Sequence, residues 1–318
     1  MTPSGFDVPE SPEKLVMIEC KNLGVDFNHI VKSLEKDLVL LVPNLSPIQA
    51  DQVIRGVAES LGLHEGLELH AGLASFLGHR HNIGKYFMSV NKRSDYQFVT
   101  PHSEGSSFIG MQLASFFCYE NSTNGGETIL MKADDSGKGW ERVRERLARA
   151  RLKEGRTLAR QEIMQAKGLY QLNLPADLLR DDDQVLAEHE TKIAGLTVLD
   201  VLAKPTKTYS RVLNRKVNVY WDSVDGADFD SVGQFERMLR QSRLLREPSR
   251  GLELCQMDSD AKRRIWHSGV EYSNLFECKI MRKLAPGDLL IQNNLTWTHA
   301  VSNWSPDSGT RKVVAAFA

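Results

Sequence analysis

The segment Pro286-Gly-Asp-Leu-Leu-Ile-Gln-Asn-Asn-Leu-Thr-Trp-Thr-His299 decides the interpretation of this sequence. Its first three residues are typical of a tight turn. The apolar run that follows predicts a strand over 288–293. The segment then ends on a histidine, a residue that commonly binds metals or carries protons. A turn, a strand and a histidine in this order predict a functional site built on a β framework.

Strand-like segments recur before and after this stretch. Apolar and β-branched runs bounded by turn residues predict strands over 38–43, 86–91, 108–119, 128–132, 278–284 and 311–317. A helix is predicted after the first of these strands, with Asn44 or Ser46 as its cap and Pro47 in its first turn. The sequence therefore predicts an α+β protein whose core is mainly antiparallel β.

The pattern changes between about 134 and 275. Residues 139–166 are rich in Arg, Leu, Ala and Glu with helical periodicity, and residues 227–245 also fit a helix. The strands on either side need each other to complete one core. We therefore expect a single domain over 1–318, with a long helical insertion or lid at about 134–275 and a loose N-terminal arm at 1–13.

Composition and charge exclude several classes of protein. The 318 residues are 41% hydrophobic and 25% charged, with a net charge of −1, so the chain can bury a sizeable core and is neither disordered nor a disulfide scaffold. Such a charge recruits neither nucleic acid nor an anionic membrane. No signal peptide or transmembrane run is recognisable. The four cysteines form no CxxC pair, which favours a reducing, cytoplasmic location.

One locally basic stretch needs a separate interpretation. Residues 141–160 hold eight Arg or Lys against three Glu, and a helix of this kind could bind nucleic acid or phosphate. Charges at nearly every second position wrap around a helix instead of forming one stripe. We therefore expect a solvated helix face and no nucleic-acid partner.

His102, Glu104 and His299 are the candidate metal ligands. Residues i and i+2 of a strand project from one face, so His102 and Glu104 can converge on one point. Two imidazoles and one carboxylate are the ligand set that leaves open positions on one side of Fe(II). The rival pair His79 and His81 has no carboxylate at a comparable spacing, and we expect it in a loop that lines the substrate entrance.

Arg311 and Thr128 are candidates for binding a co-substrate. Arg311 comes twelve residues after His299 and precedes an apolar strand, where a buried arginine needs an anionic partner. A dicarboxylate would supply one, held by two parallel hydrogen bonds. Thr128 follows two glycines, Gly125 and Gly126, that permit a tight turn, and it offers a hydroxyl.

Taken in order, these motifs resemble a known family. They are, in order, His-x-Glu, Gly-Gly-x-Thr, Pro-Gly-Asp, Asn294 five residues before a histidine, and an arginine. This series is similar to that of the Fe(II)/2-oxoglutarate-dependent dioxygenases of the taurine dioxygenase and clavaminate synthase type. The similarity covers 98–132 and 279–318, and 30–62 more loosely. It implies a double-stranded β-helix, the jelly roll of cupin-like proteins, with a helical insertion.

The resemblance also implies roles for the candidate residues. His102, Glu104 and His299 would bind iron, and Arg311, assisted by Thr128, would bind the distal carboxylate of 2-oxoglutarate. With O2, the co-substrate would be converted to succinate and CO2 while an unactivated C–H bond of a small molecule is oxidised. Hydroxylation is the default outcome; desaturation, epoxidation or cyclisation are alternatives. The carboxylate at position 104 argues against the related halogenases, which have a small residue there.

A glutamate ligand is typical of the clavaminate synthase-like branch, whose members often act on amino acids. The resemblance therefore implies natural product biosynthesis. Asp222 and Asp225 are candidates to hold a cationic group of the substrate, although acidic residues before a helix also act as caps. Asn91 and Arg93 are further candidates to face the substrate. Trp297 is expected to pack in the core.

Two other functions stay open. A metal-dependent, cupin-like hydrolase or isomerase could use the same three ligands without 2-oxoglutarate, but it would not need a buried Arg311. A non-catalytic binding module would tolerate the loss of His102. The inserted helices could form a lid or a subunit contact, so a homo-oligomer is also possible.

Overall fold

The computed structural model describes residues 8–19, 26–76, 80–90, 96–106, 109–221, 231–247 and 270–318. These residues form a mixed, mainly β protein. The α-helices are α1 (Phe27–Glu35), α2 (Pro47–Ser60), α3 (His64–Phe76), α4 (Arg160–Tyr170) and α5 (Ser231–Gln241). The strands are β1 (Leu15–Met17), β2 (Val39–Val42), β3 (Met88–Ser89), β4 (Val99–His102), β5 (Leu113–Glu120), β6 (Thr128–Ala133), β7 (Glu145–Leu152), β8 (Gln184–Glu190), β9 (Leu196–Ala203), β10 (Thr208–Ser210), β11 (Arg215–Val217), β12 (Phe276–Arg282), β13 (Leu289–Asn293), β14 (Trp297–Val301) and β15 (Lys312–Phe317).

Two sheets form the core. The larger has the order β1-β2-β13-β5-β15-β3, and the smaller has the order β12-β6-β14-β4. All pairs are antiparallel except β1 with β2. Phe116 and Leu290 from the larger sheet share one buried cluster with Leu130 and Trp297 from the smaller. The sheets therefore pack face to face, and the predicted mainly β core is confirmed.

Helices α1 to α3 cover the other face of the larger sheet. Residues such as Ile54 and Val57 of α2 pack with Leu289 and Ile291 of β13. Helix α2 begins as predicted after Ser46. The backbone N–H of Ser46 donates to Gln49 Oε1 at 2.8 Å, and the Ser46 hydroxyl accepts from the Gln49 N–H. This reciprocal capping box satisfies two donors at the helix start.

The insertion contains a sheet that the sequence did not predict. The helix expected over 139–166 is wrong for residues 145–152, which form β7 and pair with β9 along their whole length. Its last part is confirmed, because helix α4 begins at Arg160. Strand β8 completes this three-stranded antiparallel sheet. Arg and Ala favour helices by intrinsic propensity, but an eight-residue ladder to a strand distant in sequence overrides that preference. Helix α5 lies within the predicted helix 227–245.

The N-terminal segment is attached from residue 8 onward. Val8 is buried, the Ser11 N–H donates to the Lys279 carbonyl at 2.9 Å, and the Lys279 N–H donates to the Pro9 carbonyl at 2.8 Å. The expectation of a loose arm is therefore wrong for 8–13, and residues 1–7 lie outside the described part. No described helix combines the length and the apolarity that crossing a bilayer requires.

Candidate metal centre

His102 and Glu104 meet His299, which is distant from both in sequence, between the two sheets. The Nε2 atoms of His102 and His299 lie 3.9 and 3.6 Å from one oxygen, Oε1 of Glu104. One ligand atom from each residue lies within 4.8 Å of the others. Metal bonds to nitrogen and oxygen are about 2.0–2.2 Å long, so a single ion can contact all three with small side-chain adjustments.

Neighbouring strands of the smaller sheet bring the two histidines together. His299 on β14 pairs directly with His102 at the end of β4, and the ring centroids are 4.4 Å apart. Glu104 was expected on the same strand as His102, but it lies beyond that strand. Strand β4 ends at His102, and the chain then bends through Gly105 at φ +94°. The predicted convergence with His102 therefore comes from this bend and not from a shared strand face.

Asn294 holds the bend in place. Its Oδ1 accepts the Glu104 N–H at 3.0 Å, and its Nδ2 donates to the carbonyls of Glu104 and Met111 at 2.9 and 2.8 Å. The side chain is completely buried. From the sequence, Asn294 was recognised only as part of a motif, and its hydrogen bonds to the Glu104 backbone were not predicted. An asparagine just after a buried strand is nevertheless a recognisable signal.

Both imidazoles are suited to bind a metal through Nε2. The Nδ1 of His102 lies 2.9 Å from the Thr100 carbonyl, so Nδ1 carries the proton and the lone pair is on Nε2. Burial, together with the charge of His102, lowers the pKa of His299 to about 4. His299 is therefore neutral at neutral pH. Its buried Nδ1 has no hydrogen-bond partner among the described residues.

Glu104 is ionised despite its burial. Burial acts to raise its pKa, but the neighbouring His102 and His299 side chains and the charge of Arg80 hold that pKa well below the usual value. The Arg80 guanidinium lies 3.4 and 3.5 Å from the two carboxylate oxygens, and it also lies over the Phe317 ring at 5.5 Å. Arg80 could not be recognised from the sequence as a partner of Glu104, because the contact joins residues that are 24 positions apart.

Arg311 and Thr128 form a hydrogen-bonded corner of the site. The Arg311 guanidinium donates from Nε to the Gly126 carbonyl at 3.2 Å and from a terminal nitrogen to Thr128 Oγ1 at 3.4 Å. Burial lowers the Arg311 pKa to about 10, which still leaves it charged at neutral pH. Among the described residues, no carboxylate lies within ion-pairing distance of it.

Thr128 and the two histidines lie on the same face of the smaller sheet. Thr128 is opposite Val301, and Leu130 is opposite His299. His299 and Thr128 are therefore diagonal neighbours, whose Cα atoms are about 7–8 Å apart in antiparallel pairs. A small dicarboxylate can reach from one site to the other.

The predicted turn at Gly125 and Gly126 is present, and both glycines are needed. Their φ angles are +109° and +74°, which side chains rarely adopt. A Cβ on Gly125 would lie 2.3 Å from the Asn303 carbonyl oxygen, and one on Gly126 would lie 3.0 Å from Arg311 Cδ. The turn therefore packs the chain closely against Arg311.

The remaining candidates have mixed outcomes. Trp297 is buried, and its indole N–H donates to the Asp37 carbonyl at 3.0 Å, as expected of a packing residue. His81 is exposed and lies apart from the ligand cluster. Several predicted positions fall outside the described residues, namely His79, Asn91, Arg93, Asp222 and Asp225.

The basic stretch contains arginines paired with acidic residues of the insertion. Arg149 is buried, with Nε 3.0 Å from Asp183 and a terminal nitrogen 3.6 Å from Asp177. Arg151 lies 2.7 Å from Glu188 on β8. These acidic partners neutralise part of the local charge.

Comparison with known proteins gives only distant likenesses. The sequence matches no protein-family model and no curated protein. The structure is similar to AAD-2 in complex with Mn(II) and N-oxalylglycine, at 10% identity and a TM-score of 0.40, over 98% of this chain and 96% of that one. It is also similar to the PvcB protein from Pseudomonas aeruginosa, at 10% identity and a TM-score of 0.39, over 100% and 92%.

A further structure of PvcB, described as an Fe, alpha-ketoglutarate dependent oxygenase from an isonitrile synthetic pathway, gives 9% identity and a TM-score of 0.37, over 100% and 93%. Likenesses at these values are too weak to transfer a function. The described residues themselves place a neutral imidazole (His299), a second histidine, an ionised carboxylate and a charged arginine around one buried region of a mainly β protein.

Proposed function

We propose that this protein is an Fe(II)- and 2-oxoglutarate-dependent oxygenase of the taurine dioxygenase and clavaminate synthase type, acting on a small molecule. One observation carries the proposal: the His102, Glu104 and His299 cluster lies on the same sheet face as the Thr128 and Arg311 corner. A metal site alone fits many reactions. A metal site beside a charged arginine that lacks a carboxylate partner among the described residues fits a chelating dicarboxylate.

The three ligands fit ferrous iron. They supply two imidazole nitrogens and one carboxylate from one side, which leaves coordination positions for other groups. The metal, with O2 and 2-oxoglutarate, supplies the oxidising chemistry: the co-substrate becomes succinate and CO2, and one oxygen atom of O2 is available to oxidise the substrate C–H bond. The chain itself contributes binding, orientation and exclusion of water.

Two aromatic residues of the larger sheet pack beside His299 and exclude water from the site. The Phe116 ring on β5 lies 4.6 Å from the His299 ring, centroid to centroid, and Phe317 on β15 packs against Phe116 at 6.4 Å. Both aromatic residues are buried. Packing of this kind fixes the imidazole and keeps water from the reacting groups.

Arg311 gives the co-substrate its fixed direction. Its planar fork matches a carboxylate through two parallel hydrogen bonds, and the Thr128 hydroxyl offers a further donor. The distal carboxylate at this corner would direct the 2-oxo acid end toward the metal. A hydrolase or isomerase using the same three ligands would have no use for such a corner.

Finer features of the function extend this proposal. We propose hydroxylation as the default reaction and an amino acid or other specialised metabolite as the substrate, with Asp222, Asp225, Asn91 and Arg93 as its candidate contacts. Natural product biosynthesis, a cytoplasmic location, a jelly-roll connectivity of the two sheets and a homo-oligomer belong to the same proposal.

Turnover of 2-oxoglutarate tests the proposal. The purified protein, supplied with Fe(II), ascorbate, O2 and 2-oxoglutarate, is expected to release succinate and CO2 in equal amounts, and Glu104→Ala is expected to release none. Arg311→Met removes a buried charged hydrogen-bonding partner, so the KM for 2-oxoglutarate should rise on the order of 100-fold. Arg282→Met, at an exposed arginine of β12, serves as the matched control. No succinate from the wild type, or an unchanged KM in Arg311→Met, would contradict the proposal.

A further inference from the structure

A second carboxylate lies next to the proposed co-substrate corner. Glu127 is the residue between Gly126 and Thr128, whose carbonyl and hydroxyl both accept hydrogen bonds from Arg311. Its side chain is only 13% exposed. A buried carboxylate this close to a cation needs a partner of its own, or it will pair with that cation.

Arg246 is that partner. Its two terminal nitrogens lie 2.9 and 2.7 Å from the two carboxylate oxygens of Glu127, a bidentate pair. The Arg246 Nε donates to Asn124 Oδ1 at 3.1 Å. The Ser302 hydroxyl also donates to the Glu127 carboxylate. Both oxygens of Glu127 are therefore engaged by partners other than Arg311.

The backbone of Arg246 is fixed as firmly as its side chain. Its N–H donates to Asn303 Oδ1 at 2.9 Å, and its carbonyl accepts from Asn303 Nδ2 at 2.7 Å. Asn303 is completely buried and follows β14, the strand that carries His299. The Arg246 guanidinium is thus held at one position relative to both the metal centre and the glycine turn.

The charges of Glu127, Arg246 and Arg311 suggest a role for the pairing of Arg246 with Glu127. The negative charge of Glu127 favours the protonated form of Arg311. Without Arg246, the Glu127 carboxylate would be a buried, poorly compensated anion beside the free fork of Arg311. It would then compete with any dicarboxylate for that fork.

We propose that Arg246 is a positioning residue that holds the Glu127 carboxylate away from Arg311 and so keeps Arg311 available for the distal carboxylate of 2-oxoglutarate. This inference rests on the proposed function. It differs from a purely structural role in one respect: removing the negative charge of Glu127 should cancel the effect of removing Arg246.

The test is a double-mutant cycle on co-substrate binding. The affinity of the Mn(II)-loaded protein for 2-oxoglutarate is measured by calorimetry for the wild type, Arg246→Met, Glu127→Gln and the double variant. Arg246→Met is expected to bind 2-oxoglutarate about 10-fold more weakly, with unchanged Mn(II) affinity. Glu127→Gln should bind no more weakly than the wild type, and the double variant should return to within about twofold of it.

Controls separate this effect from damage to the fold. Arg156→Met removes another arginine that is paired with a glutamate, with a terminal nitrogen 2.6 Å from Glu162, and it should leave 2-oxoglutarate binding unchanged. If Arg246→Met does not fold, Arg246→Lys keeps the charge but loses the fork, and a loss of about threefold is expected.

Two results would overturn the inference while leaving the proposed function intact: wild-type affinity in the folded Arg246 variant, or a double variant as weak as Arg246→Met. A wild type that binds Mn(II) but no 2-oxoglutarate would instead overturn the proposed function, and this inference with it.

Discussion

One buried amide determines where Glu104 can place its carboxylate. Asn294 makes hydrogen bonds to the N–H and the carbonyl of Glu104 and to the carbonyl of Met111. No regular strand holds the backbone there, since β4 ends two residues earlier. The position of the only anionic ligand in the cluster therefore depends on a residue that does not itself belong to the cluster.

Replacing Asn294 should weaken metal binding. For Asn294→Ala we expect Mn(II) affinity to fall by about 10- to 100-fold, the usual cost of losing a group that orients a metal ligand. The free energy of unfolding should fall by about 1–3 kcal/mol, because buried backbone groups lose their partners. Calorimetry and urea unfolding measure the two effects. Asn274→Ala, at an exposed site, is the control, and wild-type Mn(II) affinity in Asn294→Ala would refute the role.

The sequence identified the chemistry-bearing residues better than those that orient them. His102, Glu104 and His299 could be predicted as a set because metal ligands are few in kind and occur at recognisable spacings. Arg80 and Asn294 act through contacts across 24 and 190 positions. Contacts of that length follow from the pairing of strands, which residue types do not reveal.

At the scale of the element, strand β7 shows how local preference can mislead. Its Arg, Leu and Ala residues favour a helix by intrinsic propensity, yet residues 145–152 form a strand because they pair with β9 along their whole length. The start of helix α2, in contrast, could be predicted, because its cap is formed by two residues that are close in sequence, Ser46 and Gln49.

The buried arginine of β7 provides a test of this element. For Arg149→Met we expect the free energy of unfolding to fall by about 3–5 kcal/mol, because Asp183 and Asp177 would lose their buried cation. Arg146→Met, at an exposed position of the same strand, should change it by less than about 0.5 kcal/mol. Urea unfolding compares the two. Equal effects would mean that Arg149 is not a buried partner of Asp183 and Asp177.

At the scale of the whole molecule, the two-sheet core could be predicted only in outline. The sequence indicated most strands and their mainly antiparallel character. The strand order could not follow from it, because β2 pairs with β13 and β5 with β15, strands separated by about two hundred residues or more along the chain. Another long-range pair, β4 with β14 in the smaller sheet, brings His102 and His299 together.

A buried thiol in this core should make stability depend on alkaline pH. Burial raises the pKa of Cys118 from 9.0 to about 11, so between these values the folded state keeps a proton that the unfolded chain releases. Stability should therefore fall as pH rises from about 9 to 11, by up to about 2–3 kcal/mol. The variant Cys118→Ala should lack this component.

Urea unfolding of both proteins across that pH range measures the difference in slope. A constant offset between the two proteins, with parallel pH dependence, would show that the thiol keeps its ordinary pKa in the folded state.

The central claim is that His102, Glu104 and His299 bind one metal ion whose other positions accept 2-oxoglutarate. It is tested most directly by anaerobic titration with Fe(II), followed by 2-oxoglutarate, with the visible absorption of the chelated 2-oxo acid as the signal. We expect one Fe(II) per chain and an absorption band that requires both additions and is absent in Glu104→Ala and His299→Ala. Fe(II) binding that survives both substitutions, or a wild type that shows no band with both additions, would contradict the account.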